Sequence, residues 1–217
     1  NARVTVAIVG LTSHSDRTRS LYELSDAGET SVRVSKNITP YLTFGENCVV
    51  TGQRKSISNL PEMTFGNMPV DGGNLLLSKG ELDELNLSED EKRQLTRRIY
   101  GSSEFIRGNI RYCLWIFDDF LDAANKIKPI KQRIDAVIEM RLSSKDSGTR
   151  ALASRPHQFR EMNQAHEHTL ILPGVSSESR EYLQAGLLDK NSSVTNLAFA
   201  LFDAPIWNLS LLSSRLH

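Results

Sequence analysis

Short apolar segments bounded by turn-forming residues predict five strands along the chain. Each segment is rich in β-branched or aromatic side chains, as strands are. The segments are residues 4–11, 31–35, 110–117, 168–172 and 194–202. The strongest strand composition is that of residues 110–117 (IRYCLWIF), while residues 4–11 (VTVAIVGL) predict a buried strand.

Helical spacing and capping patterns predict the helices. Residues 127–140 repeat apolar side chains every three or four positions. Ser78 and Ser88 each precede a glutamate by three residues, which is the capping-box pattern at a helix start. The second of these helices is predicted to run to about Arg98, and residues 206–216 predict a terminal helix. Strands and helices mix without a regular βαβ period, which predicts an α+β fold with a mixed, largely antiparallel sheet and several helices.

Two segments have less regular patterns. Residues 59–73 are interrupted by proline and glycine, and their apolar side chains are expected to pin the segment to the core. Residues 48–51, with residues 53–57 after them, predict a hairpin or an extended arm.

The composition excludes several classes of protein. In 217 residues, 26 Lys and Arg balance 26 Asp and Glu, and net neutrality argues against a protein that coats nucleic acid nonspecifically. No apolar run approaches the roughly 18 residues of a membrane helix, so no membrane contact is expected. Cys48 and Cys113 lie far apart in apolar surroundings, which indicates reduced thiols in the cytoplasm.

Charge is nevertheless unevenly distributed. The acidic residues 81–91 follow the two predicted helix starts, where the helix dipole favours them, so they do not indicate a metal site. Residues 141–160 carry five cations and one anion among serine, glycine and threonine. Such a stretch is typical of a surface that contacts phosphates, or of an ordinary solvated surface.

The familiar catalytic motifs are missing: there is no glycine-rich dinucleotide loop, phosphate-binding loop, zinc-protease helix or serine nucleophile elbow. His166 and His168 are half of a possible zinc site, and Asp118 with Asp119 is a possible catalytic carboxylate pair. Edge-strand histidines and a strand end are the structural alternatives, so a stand-alone hydrolase remains only one hypothesis.

Seven blocks of sequence carry a family resemblance. They are residues 37–44 (NITPYLTF), 61–78 (PEMTFGNMPVDGGNLLLS), 100–115 (YGSSEFIRGNIRYCLW), 141–144, 149–156, 172–182 (LPGVSSESREY) and 211–217 (LLSSRLH). In order and spacing they resemble the region that follows the catalytic motif in single-polypeptide type II (IIG and IIL) restriction–modification enzymes of the Mme class. Those proteins join a nuclease, an adenine-N6 DNA methyltransferase and a target recognition domain.

The resemblance implies a division of the chain and a role. Residues 1–35 are expected to be the end of the methyltransferase domain or its linker, and residues 36–217 a compact DNA target recognition domain, truncated at both ends. The family's Asn/Asp-Pro-Pro-Tyr/Phe motif is missing, since Thr39-Pro40-Tyr41 has one proline. We therefore expect no catalytic residue and no cofactor here, with S-adenosylmethionine bound elsewhere in the full-length enzyme. The expected partners are double-stranded DNA and the methyltransferase domain of the same chain.

Candidate DNA contacts combine cations, hydroxyls and one carboxylate in polar segments. They are Arg54, Lys55, Ser102, Arg107, Arg141, Lys145, Arg150, Arg155, Ser176, Ser177, Glu178 and Arg180. Hydroxyl and guanidinium groups are the usual phosphate partners. Arg180 could pair with guanine and Glu178 with cytosine, or Arg180 could pair with Glu178 or Glu181 to hold the loop. The rival hypothesis is an interaction or scaffold domain that packs on an enzyme without touching DNA.

Overall fold

The computed structural model describes residues 7–14, 16–25, 27–46, 51–52, 60–177 and 180–214. The chain divides into two units, Asn1–Ile57 and Ser58–His217. The predicted hairpin or arm of residues 48–57 lies outside the described residues except for Thr51 and Gly52. The expected division at residue 35 into a methyltransferase end and a recognition domain stays a prediction.

A two-stranded hairpin occupies the first unit. Strand β1 (Arg19–Leu24) pairs antiparallel with β2 (Thr30–Ser35), which confirms the strand predicted at residues 31–35. Residues 7–11 are irregular and Ile8 is 99% exposed, so the buried strand predicted at residues 4–11 is wrong over its described part. A strand needs a neighbour for its backbone N–H and C=O groups, and no described residue pairs with this segment.

Short strands and helices alternate irregularly in the second unit. Its strands are β3 (Thr64–Phe65), β4 (Leu76–Leu77), β5 (Thr96–Tyr100), β6 (Arg111–Leu114), β7 (His168–Pro173), β8 (Gly186–Asp189), β9 (Ser192–Val194) and β10 (Ala198–Phe202). Its helices are α1 (Lys79–Glu84), α2 (Glu89–Leu95), α3 (Ser102–Arg107), α4 (Leu121–Lys126), α5 (Lys128–Leu142), α6 (Ser147–Ala151) and α7 (Trp207–Leu212), with 3-10 turns at Asp118–Phe120 and Leu152–Ser154.

These strands form two four-stranded sheets. The first has the order β3-β10-β7-β8, with all neighbours antiparallel. The second has the order β4-β6-β5-β9, in which only β5 and β9 are parallel. This arrangement confirms the α+β prediction. In the part of the chain that the structure describes, no helix is both long and apolar enough to cross a membrane.

Both predicted capping boxes are present. The Ser78 hydroxyl accepts from the Glu81 N–H at 3.2 Å, and the Glu81 carboxylate accepts from the Ser78 N–H at 2.8 Å. Ser88 and Glu91 repeat the pattern at the start of α2. The acidic residues in these first turns therefore belong to helix starts, as the sequence indicated.

Strand pairing ends α2 earlier than predicted. The helix stops at Leu95 and not near Arg98, because Thr96 begins β5 and pairs with Leu114 of β6. The hydrogen bonds gained with β6 outweigh the local helical preference of this basic segment.

A turn divides the strand predicted at residues 194–202 into β9 and β10. It is closed by the Ala198 N–H, which donates to the Thr195 carbonyl at 3.0 Å. The predicted terminal helix of residues 206–216 is α7, which ends at Leu212, and residues 215–217 lie outside the described part.

The main apolar core lies on the second sheet. Ile130, Ile134 and Val137 are buried along one face of α5, at the spacing that predicted the helix. Cys113 of β6 is a free thiol with no exposed surface, and burial raises its pKa to about 12. Cys113 is therefore an inert core residue.

Glu81 gives the helix cap a pH dependence. The Ser78 N–H and then the Arg133 guanidinium, 2.7 Å away, hold the pKa of Glu81 at about 2, below its usual 4.5. Because the folded-state pKa is depressed, the stabilisation is full above pH 4.5 and is lost as the pH falls towards 2. We expect Glu81→Gln to lower the free energy of unfolding at pH 7, with a difference from the wild type that shrinks across this window.

Urea unfolding at a series of pH values measures this difference. Glu84→Gln, an exposed glutamate of the same helix, is the matched control. A Glu81→Gln deficit that stays constant from pH 7 to pH 2 would contradict the assignment.

Candidate nucleic-acid interface

Arg141 is a structural residue and cannot be a DNA contact, which corrects the prediction. Its side chain has no exposed surface, and its guanidinium donates to five backbone carbonyls at 2.8–3.1 Å. The five acceptors are the carbonyl oxygens of Pro69, Val70, Leu152, Arg155 and Gln158. Arg141 therefore ties the irregular segment before β4 to the turns after α6, where the basic stretch continues.

The rest of this basic stretch is folded onto itself. Arg150 is exposed but donates to the carbonyls of Ser144 and Lys145, each at 2.8 Å. Arg155 is half-buried and donates to the Phe159 carbonyl at 3.0 Å. Lys145 is exposed. The segment thus presents Lys145 and Arg150 to solvent on a fixed backbone, whereas Arg155 serves mainly to fix it.

Two predicted residues form a second group on α3: Ser102 begins the helix and Arg107 ends it. The Ser102 hydroxyl accepts from the Gly174 N–H at 2.8 Å and donates to the Leu197 carbonyl. Ser102 therefore joins α3, the end of β7 and the turn before β10. Arg107 is exposed at the end of the same helix.

The loop after β7 carries the remaining predicted residues. Ser176 and Ser177 are exposed, and the Arg180 N–H donates to the Ser177 carbonyl at 3.0 Å. The Arg180 guanidinium donates to the side-chain oxygen of Gln184. Arg54, Lys55 and Glu178 lie outside the described residues. None of these positions is tested as a DNA contact, and apart from Arg141 they stay predictions.

A buried asparagine that the sequence did not single out, Asn67, connects the segment after the basic stretch with β9 and the turn that follows it. Asn67 donates to the Asn163 carbonyl at 3.0 Å and to the Ser193 hydroxyl at 3.1 Å, and it accepts from the Asn163 N–H at 2.8 Å. Its backbone N–H donates to Val194 and its carbonyl accepts from Asn196. The contacts of Asn67 span 96 and 126 residues of sequence, so no local pattern could indicate them.

Gly66 allows this close approach. A Cβ atom at this position would lie 2.4 Å from the Val194 and Thr195 carbonyl oxygens. The adjacent Phe65 is 62% exposed and stacks on Phe199, with 4.7 Å between ring centroids. The expectation that the apolar side chains of residues 59–73 are pinned to the core therefore fails at Phe65, whose ring forms part of the surface.

Two side chains of the hydrolase hypothesis, Asp118 and His168, are occupied in structural contacts. Asp118 pairs with the buried His157 at 2.9 Å, and His168 bonds the Ala204 carbonyl at 2.7 Å. Asp203 accepts from the N–H groups of residues 166–168. Among the described residues, no three His, Cys, Asp or Glu side chains are grouped so as to hold a metal ion.

Comparisons with known proteins agree on one family. The family model described as the MmeI target recognition domain matches residues 44–217. DNA methyltransferase A of Bacillus subtilis (strain 168) is 39% identical over all of this chain, which spans 24% of that relative. A solved structure of the Type IIL restriction-modification enzyme MmeI in complex with DNA is 32% identical, with a TM-score of 0.81 over 92% of this chain and 27% of its own. The chain thus spans about a quarter of these relatives.

The contacts of Arg141 predict a large effect on stability. We expect Arg141→Met to lower the free energy of unfolding by about 3 kcal/mol or more, because each buried carbonyl left without a donor costs roughly 1–3 kcal/mol. The exposed Arg107→Met is the matched control and should stay within about 0.5 kcal/mol of the wild type. Urea unfolding at neutral pH measures both, and an equal effect of the two substitutions would contradict the structural role of Arg141.

Proposed function

We propose that this chain, which belongs to the MmeI target recognition domain family, grips duplex DNA and reads its sequence for a larger adenine-N6 methyltransferase. The resemblance identified in the sequence is confirmed by the family match and by both relatives. Since the chain spans about a quarter of those relatives, the activity of the whole enzyme and its DNA partner belong to the proposal.

One observation carries the proposal. The fold is shared, at a TM-score of 0.81 and 32% identity, with a restriction-modification enzyme whose structure contains DNA. At this identity the likeness reaches beyond general architecture to a common domain type. A recognition role for this chain follows from the domain type and needs no catalytic motif within it.

The surface chemistry supports DNA binding through local charge. Lys145 and Arg150 are exposed beside the serine and threonine residues of α6, and Arg107 is exposed at the end of α3. These side chains suit phosphate oxygens, which fix the register of a protein on a duplex. Overall neutrality is compatible with this role, because phosphate contacts depend on where the cations lie.

The proposal assigns catalysis to the rest of the enzyme. A base must leave the helical stack before its amino group can be methylated. The flipped-adenine pocket and the S-adenosylmethionine site are placed in the methyltransferase domain, because this sequence has no Asn-Pro-Pro-Tyr segment. This chain holds the duplex from the other side, so that the base to be methylated is chosen by sequence.

The electrostatic part of the proposal predicts a salt dependence. The affinity of the 217-residue chain for duplex DNA should fall with salt, and the slope of log Kd against log salt should drop by about 1 for each of Lys145→Ala and Arg107→Ala. Arg93→Ala is the control, because Arg93 is an exposed cation already paired with Asp90.

Fluorescence anisotropy titrations at salt concentrations from about 50 to about 300 mM, over which salt increasingly screens exposed charges, measure these slopes. Binding that is absent, or that does not respond to salt, would contradict the proposal and favour the scaffold hypothesis. An equal change for Arg93→Ala would contradict the assignment of particular cations.

A further inference from the structure

An open cleft in the second unit has no role among the contacts predicted so far. It has a volume of about 470 Å³, and six of its lining residues matter here. They are Thr64, Phe65, Arg160, Glu161, Asn163 and Asn196. The cleft forms where residues 64–68 pass between residues 160–163 and the turn that joins β9 to β10.

Backbone contacts fix the walls of the cleft. The Arg160 N–H donates to the Met68 carbonyl at 2.8 Å, and the Asn196 N–H donates to the Asn67 carbonyl at 3.1 Å. Glu161 accepts from the Met68 N–H and pairs with the Nε atom of Arg160, each at 3.1 Å. A ligand would therefore meet side chains on a backbone that is already in place.

The lining combines an aromatic ring with two side-chain amides that have no hydrogen-bond partner among the described residues. Phe65 is exposed and its ring is held by Phe199. Asn163 and Asn196 use their backbone atoms in the contacts above, and neither side-chain amide has a hydrogen-bond partner among the described residues. The buried Thr64 hydroxyl is also without a partner there. Amides that can donate and accept together are suited to base edges, and an exposed ring to an apolar base surface.

Hydrogen bonds join the cleft to both groups of predicted DNA contacts. The Arg160 carbonyl accepts from Arg155 at 2.6 Å, which continues into the basic stretch. On the other side, Leu197 follows Asn196 directly, and its carbonyl accepts from Ser102 at the start of α3. The cleft thus lies between the two groups along this path of contacts, where base-reading residues would be flanked by phosphate contacts.

We propose that this cleft is a base-reading subsite for duplex DNA. Asn163 and Asn196 recognise the edge of a base pair that contains adenine, and Phe65 contacts an adjoining base or a thymine methyl group. An asparagine amide matches the N6 and N7 atoms of adenine in a bidentate arrangement. This inference rests on the proposed function and adds the residues that would carry sequence preference.

The test compares base preference with general affinity. The wild-type chain and the double variant (Asn163→Ala with Asn196→Ala) are each tested for binding to a library of DNA duplexes of randomised sequence. We expect the variant to lose about 5- to 150-fold of preference at one or two base pairs, the range of one good side-chain contact to a base. Its salt slope and its affinity for unrelated duplex should not change.

Two further variants separate reading from folding. Asn109→Ala with Asn191→Ala removes two exposed amides outside the cleft and should leave the base preference unchanged. Phe65→Leu keeps an apolar side chain and should reduce the base preference at the same base pairs by a smaller factor. A variant with wild-type unfolding behaviour and a changed preference supports the inference.

Each failure has a distinct meaning. Unchanged base preference with normal salt-dependent binding overturns the subsite and leaves the proposed function standing. Absence of duplex binding by the wild-type chain overturns both. Adenosine monophosphate is the control ligand: if it binds the wild type but not the double variant, while DNA preference is unchanged, the cleft is a nucleotide site and the inference is wrong.

Discussion

The arrangement of the second unit depends on the hydrogen bonds of one buried side chain, that of Asn67. Its amide and backbone satisfy groups on Asn163 and on residues 193–196, so that two segments distant in sequence meet at Asn67. Buried polar networks of this kind are costly to break, because a buried partner such as Ser193 would be left without a hydrogen bond. Gly66 makes the network possible, since any side chain there would strike the Val194 and Thr195 carbonyls.

The cations divide into those used by the fold and those left for a ligand. The guanidinium groups of Arg141 and Arg155 donate hydrogen bonds to backbone carbonyls, and these bonds hold the basic stretch in place. Lys145 of that stretch and Arg107 at the end of α3 remain exposed, whereas the exposed Arg150 also donates to the Ser144 and Lys145 carbonyls. A backbone held in place lowers the conformational entropy lost on binding, so a neutral domain can still grip a polyanion through locally placed cations. The fold and the proposed function are connected through this division.

Local sequence rules predicted those parts of the fold that depend on nearby residues. The capping boxes at Ser78 and Ser88, and the buried face of α5, follow from contacts three or four residues apart. The end of α2, the division of residues 194–202 and the burial of Arg141 depend on partners far away in sequence. The cleft was missed for the same reason, because Phe65, Asn163 and Asn196 come together through contacts between distant segments, those of Asn67 among them. The family could be recognised because its blocks keep their order, even where single residues were misassigned.

Amide hydrogen exchange of the chain, with and without duplex DNA, tests the central claim most directly. The claim is that DNA lies over the basic stretch, the cleft and the loop after β7. It predicts slower exchange on DNA binding in residues 143–163, 174–177 and 194–197, with no change in α1 and α2. Protection confined to the β1–β2 hairpin, or no protection at any of these segments while DNA is bound, would contradict it.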